Sequence, residues 1–297
     1  IYTGNNEIIA LRNGLHGRTK LGMSVTGIQM WRTDENPVGG IHFAPNPYCY
    51  RCPLGKKRET CDLACANMIE DVIQTSTAGH PGAFIAETIQ GNAGIVVPPE
   101  GYFQRVKEIL AQHNTLFIAD EVQTGFGRTG RMFAIENFGV VPDIMAVAKA
   151  LGNGAPSSAF LSTAEIAATY TRPGAATLGG NPVSTTAGLA VLDYIEKHDL
   201  CQNASERGEQ LRAGLREIQK RHAIIGDIRG LGLMTGAEFV HTDKSPAAAE
   251  LDDVLETLKD RGFIIGKNGV ARNVMAFQPP LVITAEDIDN VLNALEM

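Results

Sequence analysis

Lys149 is the residue in this chain best placed to act as a nucleophile. The apolar run Ile144-Met145-Ala146-Val147-Ala148 follows the breaker Pro142-Asp143, ends on this lysine and opens into Gly152-Asn153-Gly154. The pattern predicts a buried strand with an ammonium group at its carboxyl end. Ligands of α/β sheets collect there, and desolvation there lowers a lysine pKa. A lysine that loses its proton readily can attack a carbonyl and form an imine. The same pattern also fits a surface lysine that merely caps a strand. A second strand-like run, Thr115-Leu116-Phe117-Ile118-Ala119, ends in Asp120-Glu121. If the two strands are neighbours, Asp120 and Lys149 converge at one sheet edge. They could form an ordinary ion pair there. They are also the two groups that pyridoxal phosphate requires: a lysine for the imine and a carboxylate that keeps the pyridine nitrogen protonated.

The cysteines offer a second candidate chemistry. Cys49, Cys52, Cys61 and Cys65 form a Cys-x2-Cys-x8-Cys-x3-Cys series, with Cys201 far away. Their number is that of a zinc site. The spacing fits equally well a loop entering a helix from Asp62 to Ile73, with Cys61 and Cys65 one turn apart and packed as small apolar groups. The odd fifth cysteine adds nothing to the case for metal, so no metal is expected and the four cysteines stand only as the alternative.

The elements that must position these residues follow from the pattern of the chain. From Ile8 to Val147, short β-rich runs alternate with helical ones. Ala83 to Glu87 reads as a strand. Pro99 to His113 reads as a helix with Tyr102, Val106, Ile109 and Leu110 on one face. This alternation predicts an α/β fold, a mostly parallel sheet with helices on both faces, whose right-handed crossovers bring the strand ends to one edge. After Gly180 the pattern changes to long helices, Val183 to His198 and Cys201 to Arg221. A smaller α+β unit follows. It comprises a strand pair within Ile224 to Val240, a helix from Pro246 to Arg261, short strands at Phe263-Ile264-Ile265 and Val274 to Phe277, and a closing helix from Ala285 to Leu295. The expected domains are residues 1–195, a large domain, and 196–297, a small C-terminal one.

Bulk properties narrow the partners. The chain has 297 residues, 44% hydrophobic and 20% charged, as in ordinary globular proteins. A formal net charge of −7 argues against nucleic acid or an anionic membrane as the main partner. No run is long and apolar enough to cross a bilayer and no signal peptide is evident, which makes a cytoplasmic or organellar location the default, with cytoplasmic the expectation. Because Ile1 leads almost directly into a strand-like segment, the chain is expected to begin inside a domain.

Asp120-Glu121-Val122-Gln123-Thr124-Gly125-Phe126-Gly127-Arg128-Thr129-Gly130 resembles the aspartate signature of the class III (ω-type) pyridoxal-phosphate-dependent aminotransferases. Four more stretches stand in that family's order: Glu87 to Gly94, Pro142 to Lys149, Thr177 with Gly179-Gly180-Asn181-Pro182, and Pro279 to Thr284. The resemblance covers almost the whole chain, and the Cys49-Tyr50-Arg51-Cys52-Pro53 loop is similar to the alanine–glyoxylate and 4-aminobutyrate branches. It implies the type I fold of pyridoxal-phosphate-dependent transferases. Lys149 matches the lysine that carries the cofactor as a Schiff base, and Asp120 the partner of the pyridine nitrogen. Val122 resembles the residue packed on one face of the ring, and Gln123 the amide that bonds the ring hydroxyl. On residue type alone, Val122 could be core and Gln123 a turn cap. Thr177 resembles the threonine that reaches the cofactor phosphate of a neighbouring subunit, which implies a homodimer with shared sites. Glu87 resembles a carboxylate that pairs with a mobile arginine and helps set which substrate carboxylate is accepted. On residue type alone Glu87 could instead be a buried partner of Arg128; the two stand as the substrate-side candidates.

The chain departs from the family pattern in three places. Leu15 stands where members carry an aromatic residue stacked on the cofactor, before His16-Gly17. Leucine fills the space but loses the π contact, and His16 is either on the rim of the site or structural. Ala276 stands where many members place an arginine clamp for an α-carboxylate, and Arg272 is four residues from that position. The glycine- and serine-rich phosphate loop should precede Ile1, so the chain is expected to be a fragment of a longer protein. The resemblance implies transfer of an amino group from an amino acid, ω-amino acid or amine donor to a 2-oxo acid acceptor by a ping-pong route. A racemase or epimerase on the same scaffold, or a non-catalytic remnant of the fold, are the alternatives.

Overall fold

The strands that carry the candidate residues are nearly continuous apolar runs, as strands covered on both faces must be. A computed structural model describes residues 1–296. Its first half contains β1 (Ile8–Leu11), α1 (Lys20–Ser24), β2 (Ile41–Ala44), α2 (Ala64–Ser76), β3 (Ala83–Glu87), α3 (Tyr102–Gln112), β4 (Leu116–Asp120), β5 (Ile144–Val147) and β6 (Ala159–Ser162). These strands form one sheet in the order β2-β1-β3-β4-β5-β6. All neighbours run parallel except β5 and β6, which pair antiparallel. Apolar faces of α2 and α3 close one core over the strands, with Ile69, Ile73, Tyr102, Val106, Phe84 and Phe117 buried together. The rings of Phe103 and Phe117 stack there at 5.5 Å.

The second half contains α4 (Ala164–Ala168), α5 (Pro182–Lys197), α6 (Leu200–Arg221), β7 (Ile225–Leu231), β8 (Met234–Phe239), α7 (Ala248–Asp260), β9 (Gly266–Asn268), β10 (Val274–Phe277) and α8 (Ala285–Glu296). A four-stranded antiparallel sheet, β7-β8-β10-β9, packs with α6, α7 and α8 around Leu211, Leu215, Phe239, Leu251, Met275 and Ile288. The fold is therefore α/β, a mostly parallel sheet with helices, joined to a smaller antiparallel unit. Asn181 caps α5 by accepting from the Ser184 amide, and Pro182 occupies the first turn, where its missing N–H costs nothing. Residue 195 lies inside α5, and Ile195 packs with Phe126, Val147 and Leu200.

Two local expectations change, and two strands were not foreseen. The strand expected at Phe263-Ile264-Ile265 begins only at Gly266, because the Phe263 amide is still bonded to the Leu258 carbonyl at the end of α7. Pairing with β10 starts where Gly266 meets Ala276. The short strands β2 and β6 have too little periodicity to be read locally and are defined by the neighbours they pair with. Helix α2 starts at Ala64 rather than Asp62, because Asp62 and Leu63 both adopt left-handed backbone conformations, φ 46° and 50°.

Candidate active site

Parallel pairing of β3, β4 and β5 sets the site. In register, Glu87 lies beside Asp120, and Asp120 beside Ala146. Asp120 and Lys149 thus stand at the carboxyl ends of adjacent strands. Lys149 opens a single 3-10 turn with φ 46°. That conformation is strained for a residue with a long side chain, and such strain is held in place only by surrounding structure. The Lys149 side chain is accessible within a cavity of about 950 Å³ that Val122, Gln123, Arg128 and Asn92 also line. Desolvation by the walls lowers the Lys149 pKa, against the pull of the Glu87 and Asp120 carboxylates, which favour the ammonium form.

Behind this lysine lies a cluster of buried polar groups. Asp120 is 7% exposed. One of its oxygens faces His16 Nδ1 at 2.7 Å and the other accepts the Val122 amide at 3.1 Å. Glu87, 4% exposed, accepts from the Leu15 amide at 2.8 Å and from the Gly91 amide at 3.0 Å. Burial pushes the Glu87 carboxyl up to about 7; His16 opposes this rise, whereas the nearby Asp120 adds to it. A Cβ at Gly91 would fall 2.2 Å from Gln123 Oε1, so a side chain there would displace the Gln123 amide that lines the cavity.

The structure gathers Lys149, Val122, Gln123 and Arg128 at the cavity, with Asp120, Glu87, His16 and the Leu15 backbone behind them. Other candidates lie elsewhere. The structural alternative, a buried Glu87–Arg128 pair, does not form: Glu87 is held by backbone amides, and Arg128 Nη1 donates to the carbonyls of Leu233, at 3.1 Å, and Pro279. Thr177 is exposed in a turn and does not line the cavity. Ala276 is buried among Ile89, Ile95 and Met234. Arg272 is exposed and donates to the Lys267 carbonyl, so it does not replace the missing clamp. Among the described residues no group of three or more histidine, cysteine or acidic side chains is placed to hold a metal ion. Cys65 is buried in α2, and burial pushes its thiol up to about 11, while Cys49, Cys52 and Cys61 are partly exposed around it.

Some contributors escaped the sequence reading. Asn92 lies within the recognised Glu87 to Gly94 stretch but carried no separate signal. Asn268 and Gln278, at the ends of β9 and β10, reach the cavity only because the small sheet docks there. The His16–Asp120 contact joins residues 104 positions apart.

Known proteins give this arrangement a context. The sequence profile of the class III aminotransferases matches residues 2–297. The chain is 43% identical to alanine–glyoxylate aminotransferase 2 homolog 2, mitochondrial, of Arabidopsis thaliana, covering 100% of this chain and 62% of that protein. It is 41% identical to a leucine/methionine racemase of Thermococcus litoralis, covering 99% and 67%. Its fold superposes on a Bacillus anthracis aminotransferase with a TM-score of 0.91 at 32% identity, covering 98% of this chain and 68% of that one. The sheet with a lysine at its carboxyl edge is thus an aminotransferase fold. This chain belongs to the class III aminotransferase family, and it spans about two thirds of the length of these relatives.

Proposed function

We propose that the chain is the catalytic part of a pyridoxal-phosphate-dependent aminotransferase. It would transfer an amino group from an amino acid, ω-amino acid or amine to a 2-oxo acid by a ping-pong route. One observation carries this reading: a partly desolvated Lys149 opens onto the cavity, and on the adjacent strand lies a carboxylate, Asp120, whose two donors leave acceptor capacity unused. Pyridoxal phosphate fits these groups. Asp120 would hold a proton on the ring nitrogen, Val122 would pack on the ring face, Gln123 would bond the ring hydroxyl and Leu15 would fill the space on the other side. When bound, the cofactor supplies an electron sink for the bond broken at the substrate carbon.

Lys149 would hold the cofactor through Nζ. Its free amine would serve as the base that moves the substrate proton, a task suited to an amine whose pKa burial has lowered. Arg128 offers the cavity a second cation. Burial lowers it to about 10, still protonated at neutral pH, and only its Nη1 is engaged with backbone carbonyls. It would hold the carboxylate of an amino acid or a 2-oxo acid, while Ala276 gives no clamp of the usual kind. Apolar side chains left exposed at Phe160, Leu178 and Val183, on and beyond the edge strand β6, support a homodimer in which Thr177 serves the neighbouring site. No helix among the described residues is long and apolar enough to cross a membrane; a cytoplasmic location remains our expectation.

Titration with pyridoxal phosphate should produce a visible absorbance band that Lys149→Ala abolishes, together with amine transfer to a 2-oxo acid. A protein that stays colourless in excess cofactor would refute the reading. The racemase relative supports a second reading, in which the proton returns to the opposite face of the substrate carbon. Loss of optical activity from an amino acid without any 2-oxo acid would favour it.

A further inference from the structure

Arg229, on β7 of the small sheet, does not line the cavity, yet it grips a segment that does. Residues 90–96 form a closed loop. Gln90 and Val96 exchange backbone hydrogen bonds at 3.1 and 3.0 Å, and the amides of Gly94 and Ile95 turn back onto the Gly91 carbonyl at 3.0 and 3.1 Å. Within this loop Asn92 lines the cavity and the Gly91 amide holds Glu87. The backbone is left-handed at both Gly94, φ 111°, and Ile95, φ 55°. Glycine adopts such angles freely; a β-branched residue does so only where its surroundings hold it. Ile95 is fully buried against Ile89, Met234 and Ala276.

The holding group comes from the small sheet. Arg229 Nε donates to the carbonyls of Gly94, at 3.0 Å, and Ile95, at 3.1 Å, and Nη2 donates to the Gly94 carbonyl at 2.6 Å. Gly94 leaves room for this approach, since a Cβ there would fall 3.2 Å from Nη2 and 2.9 Å from Val274 Cγ2. The guanidinium is itself fixed. Its Nη1 donates to Asp227 Oδ2 at 2.7 Å and pairs with Glu238 Oε2 at 2.8 Å, and its carbon lies 4.7 Å from the centre of the Tyr48 ring. Glu238, 1% exposed, also binds Arg51. Two further bonds dock the loop on the same sheet: the Asn268 side chain donates to the Gly91 carbonyl and the Gly269 amide to the Asn92 carbonyl, both at 3.1 Å.

We propose that Arg229 is a positioning residue: by taking both carbonyls of the strained turn it fixes, from the small sheet, the cavity wall that carries Asn92. A lysine in its place would keep a charge beside Asp227 and Glu238, but a point charge does not span two carbonyls as the planar fork does. Released, Ile95 would relax toward an ordinary backbone conformation and the loop would shift at the cavity. The kinetic part of this inference rests on the aminotransferase reading; the structural part does not.

The test separates the grip on the carbonyls from the ion pairs. In the cofactor-free chain, hydrogen exchange read by mass spectrometry should quicken about 10-fold or more at residues 90–96 in Arg229→Lys, while Leu116–Asp120 of β4 exchanges as in the wild type. Asp227→Asn, which weakens only the hold on Nη1, should leave residues 90–96 protected. In the cofactor-loaded protein, Arg229→Lys should raise KM for the amino donor about 10-fold with a smaller change in kcat, because a cavity wall touches bound substrate and transition state alike. Wild-type exchange at residues 90–96 in Arg229→Lys would overturn the proposal. So would faster exchange along the whole chain, equal loosening by Asp227→Asn, or an unchanged KM in a loaded variant whose loop exchanges faster. If Arg229→Lys does not fold, Gly94→Ala, which crowds the same contact from the loop side, replaces it with the same expected outcomes. If the wild type takes up no cofactor, the aminotransferase reading fails and the exchange arm alone decides the role of Arg229.

Discussion

Asp120 and Glu121 are consecutive buried carboxylates at the end of one strand, and they face different surroundings. Glu121 is fully buried. It accepts from Thr88 Oγ1, Thr124 Oγ1 and the amides of Ala134 and Ile135. A carboxylate has about four lone-pair sites, so the protein itself satisfies Glu121, and the loop that follows β4 is anchored to it. Asp120 has two donors, His16 and the Val122 amide, and capacity to spare beside Lys149. Glu87 lies between these cases, with two backbone donors and no cationic partner bonded to it. Burial is common to all three carboxylates; what differs is the hydrogen-bonding capacity that each leaves unused beside the cavity.

The largest effect should come from Asp120. Asp120→Asn cannot hold a proton on a ring nitrogen, and kcat should fall about 10³-fold, while circular dichroism and the melting midpoint stay near wild type. Unchanged kcat would break the contrast with Glu121. Glu87 comes next. Its carboxyl is raised by burial from an ordinary 4.5 to about 7, so between those values the folded chain keeps a proton that the unfolded chain has released. The resulting stability is fully present below the ordinary value and is lost as pH rises through about 7. The unfolding free energy of the wild type should therefore decline from pH 5 to pH 8 by up to about 3 kcal/mol more than that of Glu87→Gln, as read by denaturant titration. Parallel profiles would show that Glu87 is already ionised. Glu121→Gln should behave in the opposite way to Asp120→Asn. It should lose about 2 kcal/mol, because an amide NH₂ faces a backbone N–H, and it should keep its cofactor band, as read by denaturant titration and absorbance. Cys65 should show the smallest effect: Cys65→Ala should cost about 1 kcal/mol or less, and the thiol should resist alkylation longer than Cys52.

Much of the framework could be read directly from residue order. Alternating apolar runs placed β1, β3, β4 and β5, and the 3.6-residue pattern placed α3, α5, α6 and α8, because these periodicities are local consequences of backbone geometry. The Asp120 to Gly130 stretch and Lys149 pointed to the chemistry, since the residues of such motifs are adjacent in the chain. Tertiary structure decided what depends on residues far apart. It bound His16 to Asp120, separated Glu87 from Arg128, brought Asn268 and Gln278 of the small sheet to the cavity, and ran β6 antiparallel at the sheet edge. These features arise from the docking of whole elements, in which a side chain takes whichever partner packing brings within bonding distance, and no local pattern records that choice.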